Sequence, residues 1–210
     1  MEPYKGLTAV AVPLDDANID TGRIFPSRFL RKPRSAGYHN FLFRDARFDE
    51  AGSERPEFIM NRAPYRPARI VVAGANFACG SSREPAVYAL VDAGFRCVIA
   101  PSFGEIFFSN CFRNGLLPVV LPAADVLELR RQLHEQPGAQ MTVDLDAQHV
   151  SAPDGREYRF EIDPTRKLRL AQGLDDAALA LAYLDEIAQF EQRHFSTWPW
   201  AAPRGNGAHG

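Results

Sequence analysis

Ile70-Val71-Val72-Ala73-Gly74-Ala75-Asn76-Phe77-Ala78-Cys79-Gly80-Ser81-Ser82-Arg83-Glu84 is the stretch that decides how this chain folds. The β-branched run Ile70-Val71-Val72 predicts a buried strand, and the small residues after it predict a turn. A helix pattern then begins at Ser82 and is carried by Ala86, Val87, Ala89, Leu90 and Val91. A strand that empties into a helix N-terminus is an α/β unit. It also sets two hydroxyls, a guanidinium and unpartnered backbone N–H groups at the positive end of a helix. That end favours an anion, and a carboxylate or a phosphate is the expected ligand.

Outward from this unit, the same alternation recurs. Strands are expected at 69–73, 96–100 and 117–121, with helices at 82–93, 103–113 and 123–135. Such alternation means right-handed crossovers and a parallel sheet. On the N-terminal side, Leu7 to Val12 reads as a strand closed by Pro13, followed by a polar loop from Leu14 to Pro26. Residues 31–67 are rich in Arg, Pro, Gly and aromatics with weak periodicity, which predicts an irregular arm with short helices. On the C-terminal side, Met141–Leu145 and Tyr158–Ile162 alternate apolar with polar residues around Pro153-Asp154-Gly155 and read as antiparallel strands. A last helix after Gly173-Leu174-Asp175-Asp176 carries the stripe Ala178, Leu181, Leu184, Ile187, Ala188 and Phe190, read as core packing. Residues from Pro203 on read as a disordered tail.

Composition narrows the function classes. With 210 residues, 46% of them apolar, the chain has enough to bury an ordinary core. A formal charge of −2 gives no sign of a nucleic-acid or anionic-membrane partner. No apolar run approaches the roughly 18 residues of a membrane span, and the first residues do not open a signal peptide, so a cytoplasmic protein is expected. Cys79, Cys97 and Cys111 are odd in number and scattered, without a C-x-x-C. That pattern argues against a disulfide framework and against a self-contained zinc or iron–sulfur site. Cys97 reads as a core thiol within a strand; Cys79 is read as structural, with a nucleophile as the alternative.

The familiar phosphate-loop, nucleophile-elbow and dinucleotide-binding spacings are all absent around Gly74 and Gly80. What remains is Gly80-Ser81-Ser82-Arg83-Glu84, whose plainest reading is a helix cap, with Ser82 accepting from first-turn amides and Gly80 serving a tight turn. Ser81 is then surplus to the cap. Asp20 fits either a turn or an acid–base role.

Three segments taken together resemble the small-subunit family of the 3-isopropylmalate dehydratases, within the aconitase superfamily. They are Pro13-Leu14-Asp15-Asp16-Ala17-Asn18-Ile19-Asp20-Thr21, Asn76 to Glu84, and Ile99 to Pro118, with Phe160-Glu161-Ile162-Asp163 and Gly173-Leu174-Asp175-Asp176 extending the likeness over 7 to about 192. The resemblance implies a swivelling β/β/α three-layer domain over residues 1–195, with a mostly parallel central sheet, a smaller antiparallel sheet and the irregular arm, then a tail over 196–210. It implies a hydro-lyase that moves a hydroxyl between neighbouring carbons of a small branched hydroxy-dicarboxylic acid, as in leucine biosynthesis. A separate aconitase-like large subunit holds the [4Fe–4S] cluster, and this chain holds no metal. By position, Ser81 is the base that takes the proton alpha to a carboxylate, Asp20 helps protonate the departing hydroxyl, and Arg83 with Ser82 binds substrate. Arg28, Arg31 and Lys32 fall in the loop that reads the substrate's substituent; a solvated basic loop is the alternative.

Two departures from the family pattern stand out. Gly22 occupies a position usually acidic, and Pro85 one usually histidine. Proline biases Glu84 away from helical geometry and can delay the helix start. With Ser81, Arg83 and Asp20 kept, these changes predict an altered diacid, such as another alkyl-malate or a citraconate-like substrate, more readily than a dead site. The leading reading of the whole chain is still 3-isopropylmalate; a related hydratase and a non-catalytic paralogue are the alternatives.

Overall fold

The computed structural model describes residues 1–181 and 183–203. Seven strands form one sheet in the order β4-β3-β2-β1-β5-β6-β7. They are β1 (Leu7–Leu14), β2 (Ile70–Ala73), β3 (Cys97–Ala100), β4 (Leu117–Val120), β5 (Gln140–Asp144), β6 (His149–Ser151) and β7 (Glu157–Arg159). The expected parallel and antiparallel parts both exist, and β1 belongs to each. Its first half pairs antiparallel with β5, from Leu7↔Val143 to Val10↔Gln140, and its second half pairs parallel with β2, from Ala11↔Ile70 to Leu14↔Ala73. Pro13 therefore does not close the strand. The β5 ladder has already ended at Val10, so the missing proline N–H falls on an unpaired flank. The antiparallel part has one strand more than expected: β6, only three residues long, pairs with both β5 and β7.

Successive strand residues face opposite sides of the sheet, so each strand feeds two cores. Val12, Val71 and Val98 pack on one side, and Ala11, Val72 and Ile99 on the other. Eight helices accompany the sheet among the described residues: α1 (Thr21–Ile24), α2 (Arg44–Arg47), α3 (Pro85–Asp92), α4 (Glu105–Arg113), α5 (Ala123–Glu135), α6 (Pro164–Gln172), α7 (Asp176–Leu181) and α8 (Leu184–Thr197). Helix α3 covers the first face with Ala86, Val87, Ala89 and Leu90, and α5 covers the second with Val126, Leu129 and Leu133. Each large aliphatic side chain buried in this way contributes roughly 1.5–3 kcal/mol by removal from water.

The arm over 31–67 is irregular as expected, built from α2 and short 3-10 turns. It is not merely a surface loop, because Tyr38, Leu42, Phe43, Met60 and Tyr65 reach the same core as α3. Helix α6 was not anticipated. Its ends carry strong signals nonetheless: Asp163 caps the Arg166 amide at 3.0 Å, Pro164 opens the first turn, and Gly173 closes it in the left-handed region at φ 67°.

The chain divides into two compact units, Met1–Gly173 and the residues from Leu174 on. In the second unit the stripe expected to be core is not: Leu181, Leu184 and Phe190 are 61%, 56% and 58% exposed, and α8 buries no residue. The spacing of an amphipathic helix identifies a stripe but not what covers it. Pro199–Ala201 forms a 3-10 turn, and the tail expected to be disordered lies, over residues 204–210, outside the described residues.

Candidate active site

The parallel strands β1, β2 and β3 all run toward one edge, and the loops leaving their carboxyl ends hold the residues singled out by sequence. In open α/β sheets this edge is where ligands bind. The loop after β1 carries Asp15 to Asp20, that after β2 carries Gly74 to Glu84, and that after β3 carries Pro101 to Gly104.

Backbone contacts fix these loops to one another. Asp20 and Cys79 form a single parallel bridge, the Thr21 N–H donates to the Cys79 carbonyl at 3.0 Å, and the buried Thr21 hydroxyl donates to the Ser81 carbonyl at 3.3 Å. Asn76 donates its side-chain amide to Asn18 Oδ1 at 2.8 Å and its backbone N–H to Ser102 Oγ at 2.8 Å. Two glycines allow the approach. A Cβ on Gly74 would overlap the Asp16 carbonyl oxygen, and one on Gly104 would overlap the Ala78 carbonyl oxygen. Ala78 itself is held in the left-handed region at φ 56°, a conformation that costs a non-glycine residue roughly 1–2 kcal/mol and recurs at functional loops.

Asp20 is the N-cap of α1. Its Oδ1 accepts from the Gly22 amide at 2.7 Å and the Arg23 amide at 2.9 Å, so the turn-forming and functional readings are not exclusive. Arg83 lies beside it. A Cβ on Gly22 would sit 2.9 Å from Asp20 Oδ1 and 3.4 Å from Arg83 Nη1, which places the guanidinium next to the capped carboxylate. Arg83 is half-buried, and its guanidinium makes no ion pair or hydrogen bond with another described residue. Ser81 is exposed and lines a cavity of about 290 Å³ together with Cys79, Phe103 and Glu105. Asp20 and Arg83 lie outside that cavity, grouped at Gly22.

The helix after this loop begins three residues later than the spacing suggested. Helix α3 starts at Pro85 with Glu84 as its N-cap, so Ser82 caps nothing. The reason is the proline, which supplies φ near −60° for a first turn but no N–H. The following amides are already used: Ala86 donates to the Arg83 carbonyl at 3.2 Å and Val87 to the Glu84 carbonyl at 2.9 Å. The free donors near Ser81 are therefore not those of α3. They are the amides of residues 81–84, none of which has a backbone acceptor among the described residues.

The basic loop is elsewhere. Arg28 pairs with Asp45 through both guanidinium amines, the longer contact being 2.8 Å, and lies 4.5 Å above the Phe29 ring. That pair holds the Asp45 carboxyl below its ordinary range through the Arg28 hydrogen bond. Arg28 and Lys32 line a separate cleft of about 610 Å³ with Phe41, Arg44 and Phe48, and Arg31 is exposed outside it. The loops of Asp20 and Ser81 are tied through backbone atoms, with Asp20 and Arg83 grouped at Gly22 and Ser81 facing the neighbouring cavity; Arg28 and Lys32 line a different cleft and Arg31 neither.

The cysteines do not form a cradle for a cluster. Cys97 and Cys111 are fully buried in apolar surroundings, where desolvation pushes both thiols up, and Cys79 stands apart from them in the loop. Among the described residues no group of three His, Cys, Asp or Glu side chains is placed to hold a metal ion.

Comparison with known proteins finds relatives over nearly the whole chain. The aconitase C-terminal domain family matches residues 1–124, and the LeuD_N family matches residues 128–164. A 3-isopropylmalate dehydratase small subunit from Rhodospirillum centenum is 47% identical over 201 residues, covering 96% of this chain and 99% of the relative. One from Paramagnetospirillum magneticum is 48% identical over 200 residues, covering 95% and 100%. A solved 3-isopropylmalate dehydratase (leuD) from Methanocaldococcus jannaschii superposes with a TM-score of 0.63 at 26% identity, covering 88% of this chain and 99% of that one. With 47–48% identity over nearly the whole length of these relatives, this chain belongs to the 3-isopropylmalate dehydratase small-subunit family of the aconitase superfamily.

Proposed function

We propose that this chain supplies the proton-transfer half of a hydro-lyase site that interconverts 2- and 3-isopropylmalate, working with a large subunit that carries the [4Fe–4S] cluster. The observation that carries the reading is that the loops at the carboxyl edge of the sheet bring an exposed Ser81, a capped Asp20 and an Arg83 whose guanidinium hydrogen-bonds to no described residue to one end of the fold. A half-buried guanidinium with no internal partner is costly unless an anion reaches it, and a planar carboxylate fits its fork.

In this reading Arg83 grips a carboxylate of the diacid and Ser81 Oγ removes the proton from the carbon alpha to it. Ser81 acts as its alkoxide, whose charge is held before the transfer by the open amides of residues 81–84 and by the Arg83 charge and is discharged when the oxygen takes the proton. Asp20 moves the proton that leaves with the hydroxyl, and the reverse steps deliver water to the neighbouring carbon. The donors of this chain do not fit a cluster, so no step here runs through one. The altered-diacid reading is not favoured, because the relatives at 44–48% identity carry the 3-isopropylmalate name. A cytoplasmic location, with neither nucleic acid nor membrane as partner, fits the charge of −2 and helices too short and polar to cross a bilayer among the described residues.

The test is Ser81→Ala in the complex reconstituted anaerobically with its large subunit. Turnover of 3-isopropylmalate should fall by at least about 100-fold while the two chains still co-elute. Undiminished turnover removes Ser81 from the role of base.

A further inference from the structure

We infer that Thr21 is a positioning residue that sets the place of Ser81 relative to Asp20 through a hydrogen bond to the Ser81 backbone; the inference rests on the reading of Ser81 as the base. Thr21 follows Asp20 directly and is one of few polar residues in the interior, 1% exposed. Its two donors both point at the neighbouring loop: the N–H donates to the Cys79 carbonyl at 3.0 Å, and the hydroxyl donates to the Ser81 carbonyl at 3.3 Å. One residue thus grips the Ser81 loop at two carbonyls, two positions apart, while its neighbour Asp20 is fixed by the α1 cap.

The physical reason for threonine at this position is specific. A buried hydroxyl without a partner is destabilising, so the Ser81 carbonyl is its obligatory acceptor. The β-branch restricts χ1, which holds the hydroxyl in one direction without further support. The loop has few other restraints of this kind. The Ser81 and Ser82 hydroxyls have no hydrogen-bond partner among the described residues, and both residues are exposed. Without the Thr21 hydroxyl, the carbonyl of the residue that carries the base loses its only hydrogen bond to the β1 loop. An error of about 1 Å in placing a reacting group costs on the order of 100-fold in rate.

The experiment compares Thr21→Val, Thr21→Ser, Thr21→Cys and Ser81→Ala in the reconstituted complex, measuring kcat and KM for 3-isopropylmalate and the Tm of each isolated chain. Thr21→Val keeps the shape and removes the donor; kcat should fall at least about 5-fold with KM within about 2-fold of wild type. Thr21→Ser keeps the donor but loses a buried methyl. It should be the less stable of the two hydroxyl-bearing chains yet restore kcat to within about 2-fold. Thr21→Cys, with a weak S–H donor, should fall between them, and it carries the comparison if the valine variant does not fold. A role in packing alone predicts the opposite order, with the serine variant at least as impaired as the valine one. Overturning results are a kcat for Thr21→Val less than about 5-fold below wild type, or equal values for the serine and cysteine variants. If Ser81→Ala is inactive while Thr21→Val is normal, only this inference fails; if Ser81→Ala is active, the reading of the base fails and this one with it.

Discussion

Asp20 caps α1 and, in the proposed reading, also moves a proton, and a pair of substitutions can separate the two. Its Oδ1 accepts two backbone N–H groups, at 2.7 and 2.9 Å, that would otherwise be orphaned at the start of α1. Asp20→Ala removes that acceptor, and loss of an N-cap side chain costs about 1 kcal/mol within a range of roughly 0.5–2. For a chain of this length that corresponds to a Tm lower by about 2–4 °C. Asp20→Asn keeps an oxygen in the same place and ranks equally as a cap. It forfeits only the attraction of a charge to the helix end, about 0.3 kcal/mol for a single exposed turn. The two variants should therefore part in stability and agree in chemistry. Denaturant unfolding of the isolated chain should show Asp20→Ala clearly destabilised and Asp20→Asn close to wild type. Turnover in the reconstituted complex should fall by about 100-fold or more in both, because neither side chain exchanges a proton. Equal destabilisation of the two would refute the capping argument, and an asparagine variant with wild-type turnover would refute the proton-transfer role.

Two more outcomes follow from the same loops and cores. Gly104→Ala drives a Cβ into the Ala78 carbonyl, with the Ala78 carbonyl carbon and Cys79 Cα at 3.0 and 3.1 Å, and backbone atoms cannot swing aside. The cost should be about 1–3 kcal/mol by urea unfolding, together with loss of turnover as the Ser81 loop shifts. Thiol labelling checks burial: Cys97 and Cys111 are buried and their thiols pushed up by desolvation, so their thiolate fractions stay small as pH rises from 7 to 9. Native protein should label at Cys79 alone, and at all three cysteines only in denaturant; fast labelling of either buried thiol in native protein would contradict the core described.

The parts of the fold written in β-branched runs and helical stripes were legible. Ile70-Val71-Val72 and the residues from Cys97 to Ala100 are buried strands because nothing else suits such runs between turn signals. Helix α5 matches its expected bounds because its apolar positions recur at helical spacing. What was missed is short or polar: β6 has three residues, and α6 buries only Leu170, so neither shows a periodic pattern. Burial of the C-terminal stripe was misjudged for the converse reason, since periodicity records an amphipathic face but not its cover. At the site, the three motif residues were visible, while their grouping was not. The close approaches at Gly74 and Gly104 involve backbone atoms distant in sequence, and Arg28 is drawn to Asp45, 17 residues away. The helix starts late, at Pro85, yet Glu84 before it stays in the αR region at φ −59° and ψ −33°, against the expected bias of a residue that precedes proline.

The exposure of Ser81 and Asp20 bears on why such a chain works as a subunit. Two unit charges 4 Å apart attract by about 1 kcal/mol in water and about 4 kcal/mol at the effective dielectric of a protein surface. In the proposed reading, the Ser81 oxygen, open to solvent, therefore gains little from the charge of Arg83. Covered from water, charges at that separation attract by several kcal/mol. The large subunit that a small-subunit family implies is the natural cover. Desolvation on assembly then belongs to the chemistry as much as to the binding. On that reading the caps, the glycine contacts and the Thr21 hydrogen bonds set the loops before the partner arrives, and the charges strengthen when water leaves.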